Sequence, residues 1–324
     1  IVMSGINIQN MADIALAHGL RIVSVDIDPT TLAPLPGALL HAQAESGARL
    51  CLVAQLFGSV TKIRDAAALR AQGVFVVEDA AQAFAGTFHK GDAHADAILF
   101  SFGPIKRLTA LGGGVGVFQN PGIANRVERR LAKYQERSDF WFRQRALKYL
   151  LLKTLTIPAL YDTLVFLIKI TGKDYDKVIG EAARGFRGES LLDGIRCAPP
   201  HRMIALLARQ IEQAGGGTIR KAICDDFLNR LPLEVVGAGA GADQHAHWLL
   251  PIRFADPDAA IDVIRSAGFD ATRGTTSMRA LDAGSTPNAV QLMERVVYLP
   301  HPAGLSERAR VKLRNTIADF VTRH

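Results

Sequence analysis

Along the first third of the chain, apolar residues fall into short unbroken runs separated by polar turns. RLCLVAQLFG at 49–58, VFVVEDA at 74–80 and AILFSF at 97–102 are rich in Val, Ile, Leu and Phe and bounded by Gly or Asp. Runs of this kind predict strands buried in a parallel sheet. An alternating run, RIVSVDID at 21–28, predicts another strand before the turn-rich PTTLAPLPG. Helical stretches fill the intervals: 8–18 stops at Gly19, and 63–72 returns the chain to the strand that carries Asp79. Strands alternating with helices imply right-handed βαβ crossovers, so the fold class is α/β with a mostly parallel sheet.

Beyond Lys106, LGGGVGVF resembles a strand entered through glycines, and from Asn125 the chain turns helical and basic. The apolar segment YLLLKTLTIPALYDTLVFLIKI at 149–170 follows. A helical pattern with a glycine break covers 200–231, and VVGAGAGADQ at 235–244 reads as a flexible connector. The strand HWLLPIRF, the helix DAAIDVIRSAG, a loop at 273–277 and a last helix at 306–323 predict a compact α+β lobe. The expected division is a large domain at 1–199 and a small C-terminal domain at 200–324.

Composition narrows the class. With 324 residues, 48% of them hydrophobic, the chain can bury a large core. Thirty-eight Lys and Arg against 31 Asp and Glu leave +7, which suits anionic partners such as phosphorylated metabolites or acidic lipid, or simply solubility. Three scattered cysteines, Cys51, Cys197 and Cys224, form neither a disulfide framework nor a zinc ribbon, so a cytoplasmic setting is the default. The opening IVMSGINIQNMADIALAHG has no initiator Met and no signal peptide, and it reads as the interior of a longer protein.

The basic run modifies that picture. Residues 126–153 carry nine Lys or Arg against three acids, with Tyr134, Phe140, Trp141 and Phe142 interleaved. Lys153, Pro158, Asp162 and Lys169 interrupt the apolar segment at 149–170, which argues against a bilayer-spanning helix. Two readings stand: a helical hairpin buried at a domain or subunit interface, or a peripheral contact of 126–170 with an anionic membrane surface. Nothing beside the basic run resembles a nucleic-acid-binding module, so no nucleic-acid partner is expected.

The candidate chemistry lies where two strands end. VFVVEDA delivers Asp79, AILFSF delivers Ser101, and Lys106 follows. In open α/β sheets ligands sit beyond the carboxyl ends of strands, so these groups can converge on one small molecule. A carboxylate beside a pyridine nitrogen favours its protonated form and makes the ring an electron sink, and a lysine amine can form a Schiff base. A hydroxyl with nearby backbone N–H groups can hold a phosphate. Each residue alone also has an ordinary role: Asp79 as a helix cap, Ser101 in a turn, Lys106 at the surface.

Taken together, EDAAQ at 78–82, SFxPxK at 101–106 and the glycines at 113 and 114 resemble the DegT/DnrJ/EryC1/StrS family of pyridoxal-phosphate-dependent sugar aminotransferases of fold type I. VSVDID at 23–28, QLFG at 55–58 and YLPHP at 298–302 extend the resemblance over nearly the whole chain. It implies that Lys106 forms the Schiff base and shuttles the proton, and that Asp79 pairs with the pyridine nitrogen. Gln82 would lie near the phenolic oxygen, and Ser101 would bind the phosphate. The implied reaction is ping-pong: an amino acid, usually glutamate, loads the cofactor, and a nucleotide-linked keto sugar then takes the amino group. A homodimer is implied as well, with Arg273, Ser277 and His301 as candidate substrate contacts in the C-terminal lobe.

Several positions depart from the family pattern. IKRLTALGGG has Leu111 and Gly112 where Gly and Glu are usual, Ile8 stands where an aromatic ring commonly covers the cofactor, and Arg196 lies near an absent asparagine. The phosphate-binding glycine loop would lie upstream of Ile1. A dehydratase relative would carry histidine at the Schiff-base position, and Lys106 argues against it. The alternative of another class is a non-catalytic descendant acting as a membrane-surface or regulatory binding protein. His245 and His247 point to one strand face without an evident third ligand, so no metal is expected.

Overall fold

The computed structural model describes residues 1–84, 86, 90–155, 157–172, 191–214, 217–273 and 277–323. The chain divides into two compact units, 1–100 with 214–324, and 101–213.

In the first unit, short strands run in the order β3 (Val23–Val25), β1 (Val2–Ser4), β4 (Leu50–Ala54), β6 (Phe75–Asp79) and β7 (Ala97–Ser101). Each neighbouring pair is parallel, as the unbroken apolar runs predict. Val2, Cys51, Val53 and Val76 on the sheet pack against Leu39 and Ala42 of α2 (Ala38–Ser46) and Ala66 and Leu69 of α3 (Ala66–Ala71). Helix α1 (Gln9–Ala17) follows the short strand β2 (Ile6–Ile8).

The run at 21–28 pairs over only three residues because Asp26 leaves the ladder. Its nearly buried carboxylate accepts N–H from Ile27 (3.0 Å), Asn288 (2.9 Å) and Ala289 (3.0 Å). It thereby caps, from 262 residues away, a helix that lacks a side-chain cap of its own.

The C-terminal segment of this unit returns to its N-terminal part through two antiparallel pairs. β5 (Ser59–Val60) pairs with β9 (Gln244–His245), and β2 pairs with β11 (Met278–Ala280). Ile6, Ile27, Phe57, Met278, Leu292 and Tyr298 form one buried cluster there. A separate core gathers Phe227 of α9 (Thr218–Asn229), Ile252 of β10 (Pro251–Arg253), Ile264 of α10 (Pro257–Ser266), Val297 of β12 (Val296–Tyr298) and Ile317 of α12 (Glu307–Arg323). The helix capped by Asp26 is α11 (Pro287–Arg295).

The stretch 235–244 is pinned rather than a free connector. Ala238 N–H bonds Pro251 O (2.9 Å), Gly241 N–H bonds Thr30 O (3.0 Å), and Gly239 adopts φ +80°, where a Cβ would meet the Leu32 side chain at 2.9 Å.

The second unit holds β8 (Gly114–Phe118) and helices α4 (Pro121–Leu131), α5 (Asp139–Thr154), α6 (Pro158–Ile170), α7 (Leu191–Ile195) and α8 (His201–Glu212). Asn120 caps α4 ahead of Pro121, and Ser138 caps α5 through Trp141 N–H at 3.2 Å. The apolar run at 149–170 is two helices, the second starting at Pro158. Among the described residues no helix is long and apolar enough to cross a membrane.

Candidate active site

Two adjacent acids end β6, and the fold gives them different tasks. Glu78 is fully buried, taking the Gln55 amide at 2.9 Å and Asp92 N–H at 2.5 Å, and Gln55 in turn holds both backbone groups of Thr61. Glu78 therefore clamps loops. Asp79 is 6% exposed at the strand's carboxyl end, with Oδ1 accepting Ala81 N–H at 3.0 Å.

Gln82 lies three residues on, in the turn after β6. Its Oε1 accepts Phe57 N–H at 2.8 Å, and its Nε2 approaches Met278 Sδ at 3.0 Å. This bond holds an unusual bend, because Phe57 has φ +58° and Gly58 φ +96°, and a Cβ on Gly58 would stand 2.5 Å from Trp248 N. QLFG, EDAAQ and the strand after Ser277 thus meet at Gln82. Ser277 is half-buried, and its carbonyl accepts Gln9 N–H at 2.9 Å. Ile8 is paired with Met278 in the β2–β11 ladder.

Ser101 ends β7 two residues beyond Leu99, the register partner of Asp79. In the second unit, Lys106 is half-buried on a closed loop whose turn is fixed by its own N–H to Gly103 O at 3.0 Å. The loop is held at its neck: Phe102 N–H bonds Gly113 O at 3.1 Å, and Phe102 O accepts Ala110 N–H at 3.0 Å and Gly112 N–H at 3.1 Å. The unusual Leu111 and Gly112 have a packing role in this loop. Leu111 adopts φ +63° and offers its carbonyl to Arg145, while a Cβ on Gly112 would meet Met203 Cε at 3.0 Å. Arg196 is exposed just beyond α7.

The remaining candidates occupy different surroundings. Arg273 spans both oxygens of Asp258 at 3.0 Å and Glu294 O at 2.6 Å, so its guanidinium ties the loop to α10 and α11. His301 belongs to a cluster that sequence spacing could not disclose. Its Nε2 contacts His247 O at 2.7 Å and lies 3.6 Å from Cys224 Sγ, and its Nδ1 accepts Ala303 N–H at 3.3 Å. His247 Nε2 meets Asp225 Oδ1 at 2.7 Å, Asp225 also binds Lys221, and the His245 ring stacks on His247 at 4.2 Å.

Burial pushes His245 down to about 3 and His301 down to about 4, and it lowers His247 as well, so all three rings are neutral near pH 7. Burial likewise raises Cys224 to about 11, leaving it a protonated thiol. Lys221, Asp225, His245 and His247 border a cavity of about 480 Å³ together with residues 235–240. Among the described residues no group of three or more His, Cys, Asp or Glu is arranged for a metal ion.

The mostly parallel α/β sheet, with Asp79 and Ser101 at the carboxyl ends of two of its strands, belongs to a fold that the chain shares with solved aminotransferases. Residues 1–145, somewhat under half of the chain, match the model of the DegT/DnrJ/EryC1/StrS aminotransferase family. Sugar aminotransferase CalS13 from Micromonospora echinospora is 22% identical, with 98% of this chain and 80% of that one aligned at a TM-score of 0.61. Aminotransferase TlmJ from Streptoalloteichus hindustanus is 19% identical over 99% and 79% of the two chains, with a TM-score of 0.69. The GDP-4-keto-6-deoxy-D-mannose-3-dehydratase of E. coli, solved with bound hydrated pyridoxal phosphate, is 13% identical over 98% and 79%, with a TM-score of 0.68. At these identities the likeness is one of fold. No curated protein matches the sequence.

Proposed function

We propose that the chain forms a pyridoxal-phosphate-dependent aminotransferase that takes an amino group from an amino acid, glutamate foremost, and places it on a nucleotide-linked keto sugar. One observation carries the reading: neighbouring parallel strands end in a buried carboxylate, Asp79, and a hydroxyl, Ser101, with Lys106 five residues later, all inside the segment that matches the family.

The donor chemistry fits the cofactor. Asp79 stands nearly buried at the carboxyl end of β6, and its carboxylate would favour the protonated form of a ring nitrogen placed beside it. Gln82 is fixed through Phe57 N–H and presents its amide beside Asp79 in sequence, where it would approach the ring's phenolic oxygen. Ser101 would take the phosphate. Bound pyridoxal phosphate supplies an electron sink for charge developing at the substrate carbon.

The protein's own groups do the rest. With the cofactor bound, Asp79 would hold the proton on the ring nitrogen. Lys106 Nζ would remove the proton from the donor's Cα in one half-reaction and deliver a proton to the amino-bearing sugar carbon in the other. Proton transfer by a positioned amine is worth roughly 10²- to 10⁴-fold in rate. Arg273, Ser277 and His301 are retained as candidate substrate contacts, with 1–199 carrying the cofactor, 200–324 acting as the small domain, and a homodimer completing the site. A lysine rather than a histidine at 106 favours transamination over dehydration.

The test is the absorbance of the protein titrated with pyridoxal phosphate beside Lys106→Ala. A visible band that requires Lys106 and bleaches with glutamate is expected, together with loss of turnover in the variant. Identical spectra with no band in either protein overturn the proposal and favour a non-catalytic binding role.

A further inference from the structure

Helices α5 and α6 expose more large apolar surface than their surroundings account for. On α5, Phe140, Leu147, Leu150 and Leu151 recur at helical spacing within an arc of roughly 100°, away from Phe142, the helix's buried residue. On α6, Leu160, Phe166, Leu167 and Ile170 share a comparable arc. Each of these eight leaves 45–67% of its surface to solvent. An uncovered apolar stripe of this kind marks an interaction site.

The charge beside it says which partner fits. Arg143 and Lys148 are exposed along the α5 stripe, and residues 126–153 carry nine cations against three acids, a net +6. Trp141 and Tyr149 lie on the other side of α5, towards Phe142, where Arg145 stands 5.3 Å and 5.2 Å from the two ring centres, so Arg143 and Lys148 are the cations left beside the stripe. Long basic side chains beside an apolar stripe are the composition of a helix lying at a lipid headgroup boundary.

A second copy of the chain is the poorer partner. An isologous contact would bring the same +6 stretch against itself, and like charges facing each other oppose association. The helices have 16 and 13 residues, short of the roughly 20 needed to span a bilayer, so they lie in its plane.

We propose that α5 and α6 form a docking face for an anionic lipid surface, their apolar arcs entering the headgroup boundary and Arg143, Lys148 and their basic neighbours pairing with lipid phosphates. This stands independently of the aminotransferase reading, and its test needs no catalysis.

The whole protein is sedimented with phosphatidylcholine vesicles containing one third phosphatidylglycerol, and with phosphatidylcholine alone, at low and high salt. Binding is expected only to the anionic vesicles, falling roughly tenfold or more as salt screens the cations. Leu147→Glu/Leu151→Glu and Arg143→Glu/Lys148→Glu, both at exposed positions, should each weaken binding at least about tenfold while circular dichroism stays native. Absence of pelleting, equal pelleting with neutral vesicles, or binding unchanged in both variants overturns the proposal. So does a dimer that Leu147→Glu/Leu151→Glu converts to monomer without any lipid binding, since the face then belongs to self-association.

Discussion

Two stretches of similar apolar richness, 74–102 and 140–170, meet opposite fates. Val76, Ile98 and Phe102 are all but inaccessible to solvent, whereas Phe140, Leu147 and Phe166 are more than half exposed. The difference lies in what each backbone needs. A strand must find partners for its N–H and C=O groups on both sides, and those partners bring covering layers with them. A helix satisfies its own backbone, so an apolar helix can remain uncovered until a partner supplies the cover. Hydropathy alone therefore ranks the two stretches alike, and topology separates them.

The sharpest way to break the comparison is to delete apolar bulk on the buried side. Phe227 is fully buried among Leu231, Ile252, Leu313 and Ile317. Phe227→Ala should cost about 3–5 kcal/mol, read as a lowered denaturant midpoint at unchanged slope. A loss under about 1 kcal/mol would mean that this core is loosely packed.

Acid should act on the same side through buried histidines. His245 and His301 ionise in the native state only near pH 3 and 4, while in the unfolded chain they do so near 6.5. The unfolded state therefore takes up the protons first. The contribution of these neutral rings is complete above about pH 6.5 and is lost progressively as pH falls toward the native values. Between pH 7 and 5 the loss is about 2 kcal/mol for His245 and less for the partly solvated His301. Chemical denaturation at the two pH values measures it. His301→Asn should flatten the profile, and a profile unchanged in that variant would assign the acid sensitivity elsewhere.

The third effect concerns a polar group that packing depends on. Asp26→Ala removes an acceptor from three N–H groups, two of them at the start of α11, and should cost about 1–3 kcal/mol. Increased proteolytic nicking near residues 286–290 would accompany it.

Legibility followed the range of the interaction. β6 and β7, with Asp79 and Ser101 at their ends, could be read because a buried parallel strand writes its whole environment into consecutive residues. Lys106 is singled out by the spelling of its loop alone. The His247–Asp225 contact and the His301–His247 contact join residues 22 and 54 apart, and no local pattern encodes them. The glycines at 237–241 suggested a connector because alternating Gly and Ala carry no periodic signal, yet their small size lets the backbone approach Pro251 and Thr30. Arg273 was singled out for its loop position, and its pairing with Asp258 on α10 depended on chain geometry outside that loop.

The smallest expected effect tests the exposed side. Leu147 is 57% exposed on α5, so Leu147→Ser removes little burial from the folded state and trades a strong helix former for a somewhat weaker one. Stability should change by less than about 0.5 kcal/mol, measured by the same denaturant unfolding as Phe227→Ala. Placed beside a loss of several kcal/mol at Phe227, a near-zero value would establish that α5 contributes its leucines to a partner and not to the fold. A loss above about 2 kcal/mol would put Leu147 in a core after all, and the distinction between covered strands and uncovered helices would fail at its clearest residue.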